Sequence, residues 1–318
     1  MESHPHRPRW KTLLAFGIIY FVWGSTFLFI RIGVRELPPL LFAALRFFPA
    51  GLVLYAWMTA RGERSPTPRQ WASAAALGLL IFVGDYGLLF WAEERVPSGI
   101  AAVMLATIPA FMALSEIILL RTQKLTARLV FALVIGICGV GVLVSNSLNL
   151  GSAPVDRTGA IALTLASLSW SFASVLSRRM PLPPSKAMSA AAQMLTGGVL
   201  LILIAGTLGE FRSFHPARIS GGAWFALVYL IVFGSLIGFT AYVWLLHHES
   251  PTKVGTYAYV NPVIAVLLGY FFGGEGLGAR TILGTLFVLV SVIVITTTRA
   301  KKPIPALAVE DAGVKQPG

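Results

Sequence analysis

Three charged residues, Arg46, Asp85 and Glu116, stand inside long apolar runs of the sequence. A charge in apolar surroundings is costly and usually functional, so these residues are the first candidates for ion pairing or proton transfer. A helix rises about 1.5 Å per residue, so Arg46 and Asp85 come to similar depths in the apolar layer that their helices cross. They are therefore expected to lie near each other. Two interpretations stay open. One is a permanent ion pair that fixes helix packing, and the other is a site where Asp85 takes up and releases a coupling proton.

Glu116 lies within a turn or two of the end of its run, close to the basic cluster 121–124, which favours a structural role for it. His247 and His248 end another run, where an interfacial position is expected rather than metal binding. The single cysteine, Cys138, excludes an intrachain disulfide. The sequence contains neither a phosphate-binding loop nor a zinc-type cluster, so no cofactor and no metal are predicted.

Pro109 and Pro262 occupy corresponding places in two apolar runs. Each removes a backbone donor and frees a carbonyl one turn earlier, which predicts a helix kink. In apolar surroundings such a carbonyl is tolerated only beside another polar group or a wet cavity. A purely structural kink is the alternative, but the shared position favours a cavity. Three neighbouring residues are candidates for its lining: Tyr257, Tyr259 and Asn261.

Trp23 and Trp170 lie near the middle of two further runs, with Ser25 close to the first. Aromatic walls suit an amphipathic organic ligand, although tryptophans inside a run also serve as packing, and the sequence leaves both possibilities open. Tyr86, next to Asp85, is a weaker member of the group. The complete set of candidates for a substrate cavity is Trp23, Ser25, Asp85, Tyr86, Trp170, Tyr257, Tyr259 and Asn261.

The elements that must position these residues follow from the composition. Hydrophobic residues make up 56% of the 318 residues and charged residues 12%, and the mean hydropathy is +0.77. A soluble domain of this size needs about a quarter of its residues charged. Apolar runs of about 20 residues span a hydrocarbon core as helices, so the fold class is an all-α integral membrane protein with the lipid bilayer as its main solvent. Ten transmembrane helices are predicted, at 12–31, 39–59, 71–92, 97–120, 128–148, 158–177, 187–208, 221–246, 253–273 and 279–298.

The net charge of +12 does not indicate nucleic acid, because the 25 Lys and Arg residues fall in short clusters between the runs. If the N-terminus is inside, 17 of them are cytoplasmic and 7 lie opposite, with Arg46 left in a span. This positive-inside bias predicts both termini in the cytoplasm. The first run, Thr12–Ile30, is too long for a cleavable signal peptide. Residues 1–11 are the expected cytoplasmic N-terminus, and residues 299–318 are an expected cytoplasmic disordered tail.

The two halves of the chain resemble each other. An offset of 147 positions aligns Trp23 with Trp170 and Gly51 with Gly198, and one of about 153 aligns the two prolines. The predicted repeats, 12–148 and 158–298, each hold five helices. Because five is odd, the copies cross the membrane in opposite directions. Inverted-topology repeats are common in secondary transporters, with the substrate site between the copies.

Several motifs support a resemblance: WGSTFLFIRIG at 23–33, LRFFPAG at 45–51, VPSGIAAVMLATIP at 96–109 and TYAYVNPVIAVLLGYFFGGE at 256–275. They resemble the EamA family of the drug/metabolite transporter superfamily, and in particular its YedA-type inner-membrane permeases. The resemblance implies ten helices and export of metabolites, amino acids or drug-like compounds from a cavity between the repeats. One departure is that the acid present as Glu275 in the second repeat is Gln123 in the first.

Other functions are less consistent with this pattern. A membrane-embedded enzyme usually shows acidic or histidine clusters, and a passive channel favours a ring of like charges. The sequence predicts a secondary transporter for neutral, zwitterionic or aromatic small molecules, and it leaves open whether transport is coupled to protons. The Gly234–Gly238 and Gly269–Gly273 pairs, each spaced four apart, predict close helix packing. Substrate identity, transport direction and oligomeric state stay open.

Overall fold

The structure is a computed structural model that describes residues 9–95, 101, 104–144, 156–264 and 279–297. The described part is helical and contains no strand. Its main helices are α1 (Arg9–Val34), α2 (Pro39–Ala60), α3 (Pro68–Glu93), α4 (Ile108–Leu120), α5 (Ala127–Val144), α6 (Arg157–Leu176), α7 (Lys186–Thr207), α8 (Gly221–His248), an interrupted α9 (251–264) and α10 (Ala279–Thr297).

Six of these helices, α1, α2, α3, α6, α7 and α8, are long and apolar enough to cross a membrane. The helices α4, α5 and α10 are apolar but shorter within the described residues. The all-α class is therefore confirmed, with six clear spans. Parts of the predicted spans at 97–120, 128–148 and 253–273 lie outside the described residues. So do Glu275, the Gly269–Gly273 pair and the predicted tail.

Local sequence signals set several helix starts. Thr67 forms a capping box with Gln70, directly before Pro68 at the first position of α3. This arrangement satisfies backbone donors that the helix itself leaves open. Four further helices are capped in a similar way, each by a side chain that accepts a hydrogen bond from the backbone N–H three residues on. The capping residues are Asp156, Ser185, Ser220 and Ser250.

The closest helix contacts pair α2 with α7 and α5 with α10. Small residues allow these contacts, because a Cβ on Gly51 of α2 would stand 2.6 Å from the Leu195 nitrogen of α7. Reciprocally, a Cβ on Gly198 of α7 would stand 2.7 Å from the Cα of Phe48 in α2. Large apolar side chains such as Phe21 point outward and are exposed, as lipid contact requires.

α3 and α8 each contain a wide π-helical segment, Leu79–Gly87 in α3 and Leu230–Phe239 in α8. A π-helical turn changes the direction in which side chains point, and such turns are frequent at functional sites. Each segment turns one side to the interior of the bundle, where Asp85 and Tyr86 of α3 and Ser235 and Phe239 of α8 are buried. α3 packs there against α6, and α8 packs against α1, so that each half of the chain contributes one helix to each contact.

Candidate functional site

A small cavity lies between α1, α3, α6 and α9, with part of its wall from the segment before α4. Its volume is about 30 Å³, on a scale where one water needs roughly 10–15 Å³. The space therefore holds two or three waters and no organic molecule, so this conformation is closed. The lining residues used below are Trp23, Thr26, Asp85, Tyr86, Trp170, Tyr257 and Asn261.

Four aromatic rings form one wall. Trp23 of α1 meets Trp170 of α6, Tyr242 of α8 and Tyr257 of α9 at ring-centroid distances of 5.6, 5.0 and 4.8 Å. Trp170 and Tyr242, which both belong to the second half, lie 4.8 Å apart, so Trp23 of the first half packs on rings that contact one another. From this wall the cavity extends along α1 towards Ile30. The rings therefore close the cavity on the side of the N-terminal half of α1.

The indole of Trp23 is held by α8. Its Nε1 donates to the carbonyl of Gly234 at 3.0 Å. A Cβ on Gly238 would stand 2.6 Å from that same nitrogen. The Gly234–Gly238 pair thus makes room for side chains from other helices rather than for a neighbouring backbone, which refines the predicted packing role.

Arg46 of α2 is completely buried. Its Nε donates to the hydroxyl of Ser235 at 3.0 Å, and its Cζ lies 4.5 Å from the ring centre of Phe47 and 5.0 Å from that of Tyr86. The terminal nitrogens meet no acceptor with hydrogen-bond geometry among the described residues. The Tyr86 hydroxyl lies near the guanidinium and interacts with it electrostatically, but the two groups are not aligned for a hydrogen bond. Burial removes the hydration of the guanidinium, and the cation–π attraction of the two ring faces replaces part of that stabilisation.

Asp85 lies in the π-helical segment of α3, lines the cavity and is 4% exposed. Within the described ranges its carboxyl group has neither a hydrogen bond nor a direct ion pair with Arg46, which attracts it only through space. Arg46 and Asp85 thus lie near each other, as the sequence predicts, but they do not form a direct ion pair. The physical reason is that the guanidinium is turned towards Ser235 of α8.

The structure places the interruptions of α4 and α9 before the prolines. The chain turns at Ala106 and Thr107, and α4 starts again at Ile108 with Pro109 in its first turn. The turn in α9 lies at 255–256, and Pro262 sits within the helical segment 257–264 that follows. The expected kinks are therefore breaks. Proline is compatible with a first helical turn because its missing N–H has no partner there.

Polar side chains accompany these breaks. Ser167 and Ser171 of α6 donate to the carbonyls of Met104 and Ile108 at 3.5 and 3.3 Å. Asn261, on the α9 side, lines the cavity, and its Oδ1 is buried with no partner in the described part of the chain. An orphaned amide oxygen beside a cavity is a group that a ligand or water satisfies.

Two of the eight cavity candidates lie elsewhere. Ser25 points to α8, where its hydroxyl bonds Tyr229 at 2.6 Å. The hydroxyl of Tyr259 donates to the carbonyl of Leu133 at 3.2 Å, in the contact with α5. Each residue is one or two positions from a lining residue. Because adjacent helical residues point about 100° apart, this small difference directs them to another neighbour.

Glu116 joins α4 to the start of α9. Its carboxylate accepts from the Thr252 hydroxyl at 2.8 Å, the Thr252 backbone N–H at 3.2 Å and the Thr122 hydroxyl at 3.0 Å. This bonding supports the structural role that was predicted for it. The contact lies on the side of the aromatic wall away from the cavity and ties the two halves of the chain together there.

Sequence reasoning missed two residues of this region. Tyr242 belongs to the aromatic wall, and Glu93 is buried although it ends its apolar run next to the exposed Glu94. The signal for Glu93 was its spacing of eight from Asp85, which places both on one face of a helix. The signal for Tyr242 was its position within a long apolar run.

Apolar helices that enclose a polar, aromatic cavity form the arrangement of a membrane transporter. Comparison with known proteins identifies the family: the chain belongs to the EamA-like transporter family, whose model matches residues 10–145 and 157–297. The resemblance read from the motifs is thereby confirmed.

The relatives agree with this assignment. The uncharacterized inner membrane transporter YedA of Escherichia coli K12 is 38% identical over 92% of this chain and 94% of its own. Protein PecM of Dickeya dadantii is 28% identical, and the uncharacterized transporter YoaV of Bacillus subtilis is 25% identical, each over 92% of this chain and 96% and 99% of its own. A crystal structure that is 23% identical superposes with a TM-score of 0.71, covering 91% of this chain and 98% of that one, so the two share a fold.

Proposed function

We propose that this multi-pass inner-membrane protein is a secondary transporter that exports small neutral, zwitterionic or aromatic molecules through the cavity between its two halves. The observation that carries the proposal is the cavity itself. Its wall takes Trp23 and Asp85 from the first half and Trp170 and Asn261 from the second. A site shared by two halves opens to either side when the halves rock against each other.

Reciprocal contacts support ten helices in two inverted repeats. Gly51 meets Leu195 while Gly198 meets Phe48, and the offset of 147 relates each contact to the other. In the α5–α10 contact, Gly136 approaches Ser291 and Gly139 approaches the backbone of Val288, with an offset of 152. Such exchanged pairs are the mark of a local two-fold axis.

The orientation follows from the loops. The excess of Lys and Arg on one set of loops, 17 against 7, supports the proposal that both termini are in the cytoplasm. In that orientation the cavity lies on the outer side of the aromatic wall, and Glu116 with Thr252 closes the cytoplasmic side.

The substrate class follows from the chemistry of the lining. Aromatic faces favour ring systems and ammonium groups, and the carboxyl of Asp85 with the amide of Asn261 offers hydrogen bonds to a polar end. A cavity of about 30 Å³ must widen before such a molecule enters. Transport therefore includes an open state in which water reaches Asp85.

That change of solvation makes Asp85 the proposed coupling residue. A carboxyl group exchanges its proton more readily in water than in a dry interior, because burial disfavours the charged form. Arg46 stands close enough to influence the ionisation of Asp85 without neutralising it by contact. An inward proton is thus exchanged for an outward substrate at one site.

The test has two stages. A growth-tolerance screen of an overexpressing strain against toxic amino-acid analogues and drugs selects a transported compound. Its labelled form is then followed in proteoliposomes, where we expect saturable flux, counterflow and stimulation by an imposed pH gradient. Asp85→Asn keeps the size of the side chain and should abolish the stimulation while counterflow persists. Wild-type, pH-stimulated flux in that variant would exclude Asp85 as the coupling residue, and flux that never saturates would indicate a channel.

A further inference from the structure

Glu93, the last residue of α3, is a buried carboxyl group without a hydrogen-bond donor. Its side chain is 7% exposed, and neither carboxyl oxygen has a partner among the residues that the structure describes. Buried polar groups are bonded in the great majority of cases, so each exception requires an explanation. An ionised carboxylate in this position would lose several kcal/mol of hydration without any bond to replace it.

Glu93 stands one turn beyond the cavity. Asp85 and Leu89 both line the cavity, and Glu93 continues their spacing of four along the same face of α3. On α1, Ile30 lines the cavity and Arg31 follows it. Glu93 therefore lies at the C-terminal end of α3, one turn from the cavity, and this is the outer end in the proposed orientation.

The charged groups around Glu93 come from two packed helices. Arg31 of α1 and Arg46 of α2 attract it through space, and neither forms a direct ion pair with it. α6 also packs on this end of α3, but Asp156, directly before its start, is attracted to Arg95. Arg46 is already bonded to Ser235. Arg31 is therefore the cation that can balance the charge of an ionised Glu93 when the cavity opens and the ends of α1 and α3 move apart.

We propose that Glu93 holds a proton in this closed conformation and releases it to outside water when the cavity opens. The inference rests on the proposed function, because it adds a second proton site in series with Asp85. On opening, the O–H bond of the acid breaks, the proton passes to water, and the new carboxylate is balanced by Arg31. On closing, water leaves and the carboxylate takes up a proton again.

Infrared spectroscopy of the purified protein at neutral pH tests the proton directly. The wild-type protein should show a carboxylic-acid C=O band that moves to lower frequency in D₂O. Glu93→Gln should remove the Glu93 component of that band, both in the wild-type background and in Asp85→Asn, where Asp85 itself contributes no acid band. The matched control is Glu94→Gln, because Glu94 is the exposed neighbour whose 2.8 Å pair with Arg95 contributes little at the surface. It should leave the band unchanged.

A second measurement needs no variant. A hydrophobic carbodiimide reacts with protonated carboxyl groups in apolar surroundings, and mass spectrometry of the wild-type chain should find the adduct on Glu93 and none on Glu94. In the proteoliposome assay, Glu93→Gln should lose most of the stimulation by the pH gradient and retain counterflow.

An unchanged acid band in Glu93→Gln would show that this residue is ionised and overturn the inference, and so would an adduct on Glu94 with none on Glu93. Full stimulation by the pH gradient in Glu93→Gln would also overturn it. If wild-type flux ignores the pH gradient, the coupling proposed for Asp85 fails, and the infrared band still decides whether Glu93 holds a proton.

Discussion

At the scale of single residues, the interior is organised by small side chains that admit large ones. Gly238 leaves space for the indole of Trp23, and Gly234 both accepts its hydrogen bond and leaves space for the guanidinium of Arg46. These two glycines lie in the π-helical part of α8. The aromatic wall and the buried cation thus depend on the same short segment.

Gly238→Ala should destabilise the protein and disturb the aromatic wall. The new Cβ would stand 2.6 Å from Trp23 Nε1, so the indole or the helix must shift. Overpacking of this kind costs about 1–3 kcal/mol. Gly17→Ala is the control, because nothing lies within 4 Å of its Cβ position. Thermal unfolding in detergent, followed by tryptophan fluorescence, should show a lower midpoint for Gly238→Ala alone. If Gly238→Ala and Gly17→Ala unfold at the same midpoint, the aromatic wall accommodates the added methyl group without loss of stability.

At the scale of elements, loop residues connect helices that are far apart in the sequence. Glu36, between α1 and α2, accepts from the backbone N–H and the hydroxyl of Ser220 at 2.7 and 2.8 Å. Ser220 in turn caps the start of α8 by accepting from Ala223. The negative charge of Glu36 also suits the positive end of the helix dipole. This contact joins α1 to its packing partner α8 at one end.

The Glu36 contact predicts a pH-dependent stability. Bonds from the Ser220 backbone N–H and then from its hydroxyl hold the pKa of Glu36 below its ordinary value of 4.5. A lowered folded-state pKa contributes stability above the unfolded-state pKa, and this stability is lost as the pH falls through the folded-state value. Glu36→Gln should therefore lower the unfolding midpoint at pH 7, and its difference from wild type should shrink below about pH 4.5.

The matched control for this experiment is Glu63→Gln, because Glu63 is also exposed and lies in the next loop. The difference in unfolding midpoint between Glu63→Gln and wild type should be the same at pH 7 as at pH 3. A constant deficit of Glu36→Gln from pH 7 down to pH 3 would contradict the proposed contribution of the charge.

At the scale of the whole molecule, the two halves exchange partners. α1 packs on α8 and α6 packs on α3, so that each half places its first helix against the third helix of the other. α1 and α6 meet at Trp23 and Trp170, which the offset of 147 relates to each other. This exchange explains why the cavity belongs to both halves and why neither half encloses it alone.

Reporter fusions test the proposed inverted topology. A reporter joined after Arg64 lies in the loop between α2 and α3, and one joined after Asp156 lies immediately before α6. Three helices separate these two points, so the reporters should report opposite sides, with the first in the cytoplasm. Reports from the same side would contradict the ten-helix topology.

Much of this fold was predictable from local properties. The apolar runs and the repeat-related Gly51 and Gly198 are visible in the sequence, and in the structure the runs form helices and the two glycines lie in one helix contact. The reason is that a polar group in lipid has a large cost wherever it lies, so helix boundaries are set residue by residue. Six candidates for the cavity lining also lie in it for this reason, since polar and aromatic residues inside a span turn inward.

By itself, the sequence determined the membrane class, the family and the interior placement of Arg46 and Asp85. Tertiary structure alone decided which neighbour each side chain meets: Arg46 reaches Ser235 instead of Asp85, Ser25 turns to Tyr229, and Glu93 is buried. These outcomes depend on how far each helix is rotated about its axis. One residue changes that direction by about 100°, and the π-helical segments of α3 and α8 change it again. The rotation is fixed only when helices distant in the sequence pack together.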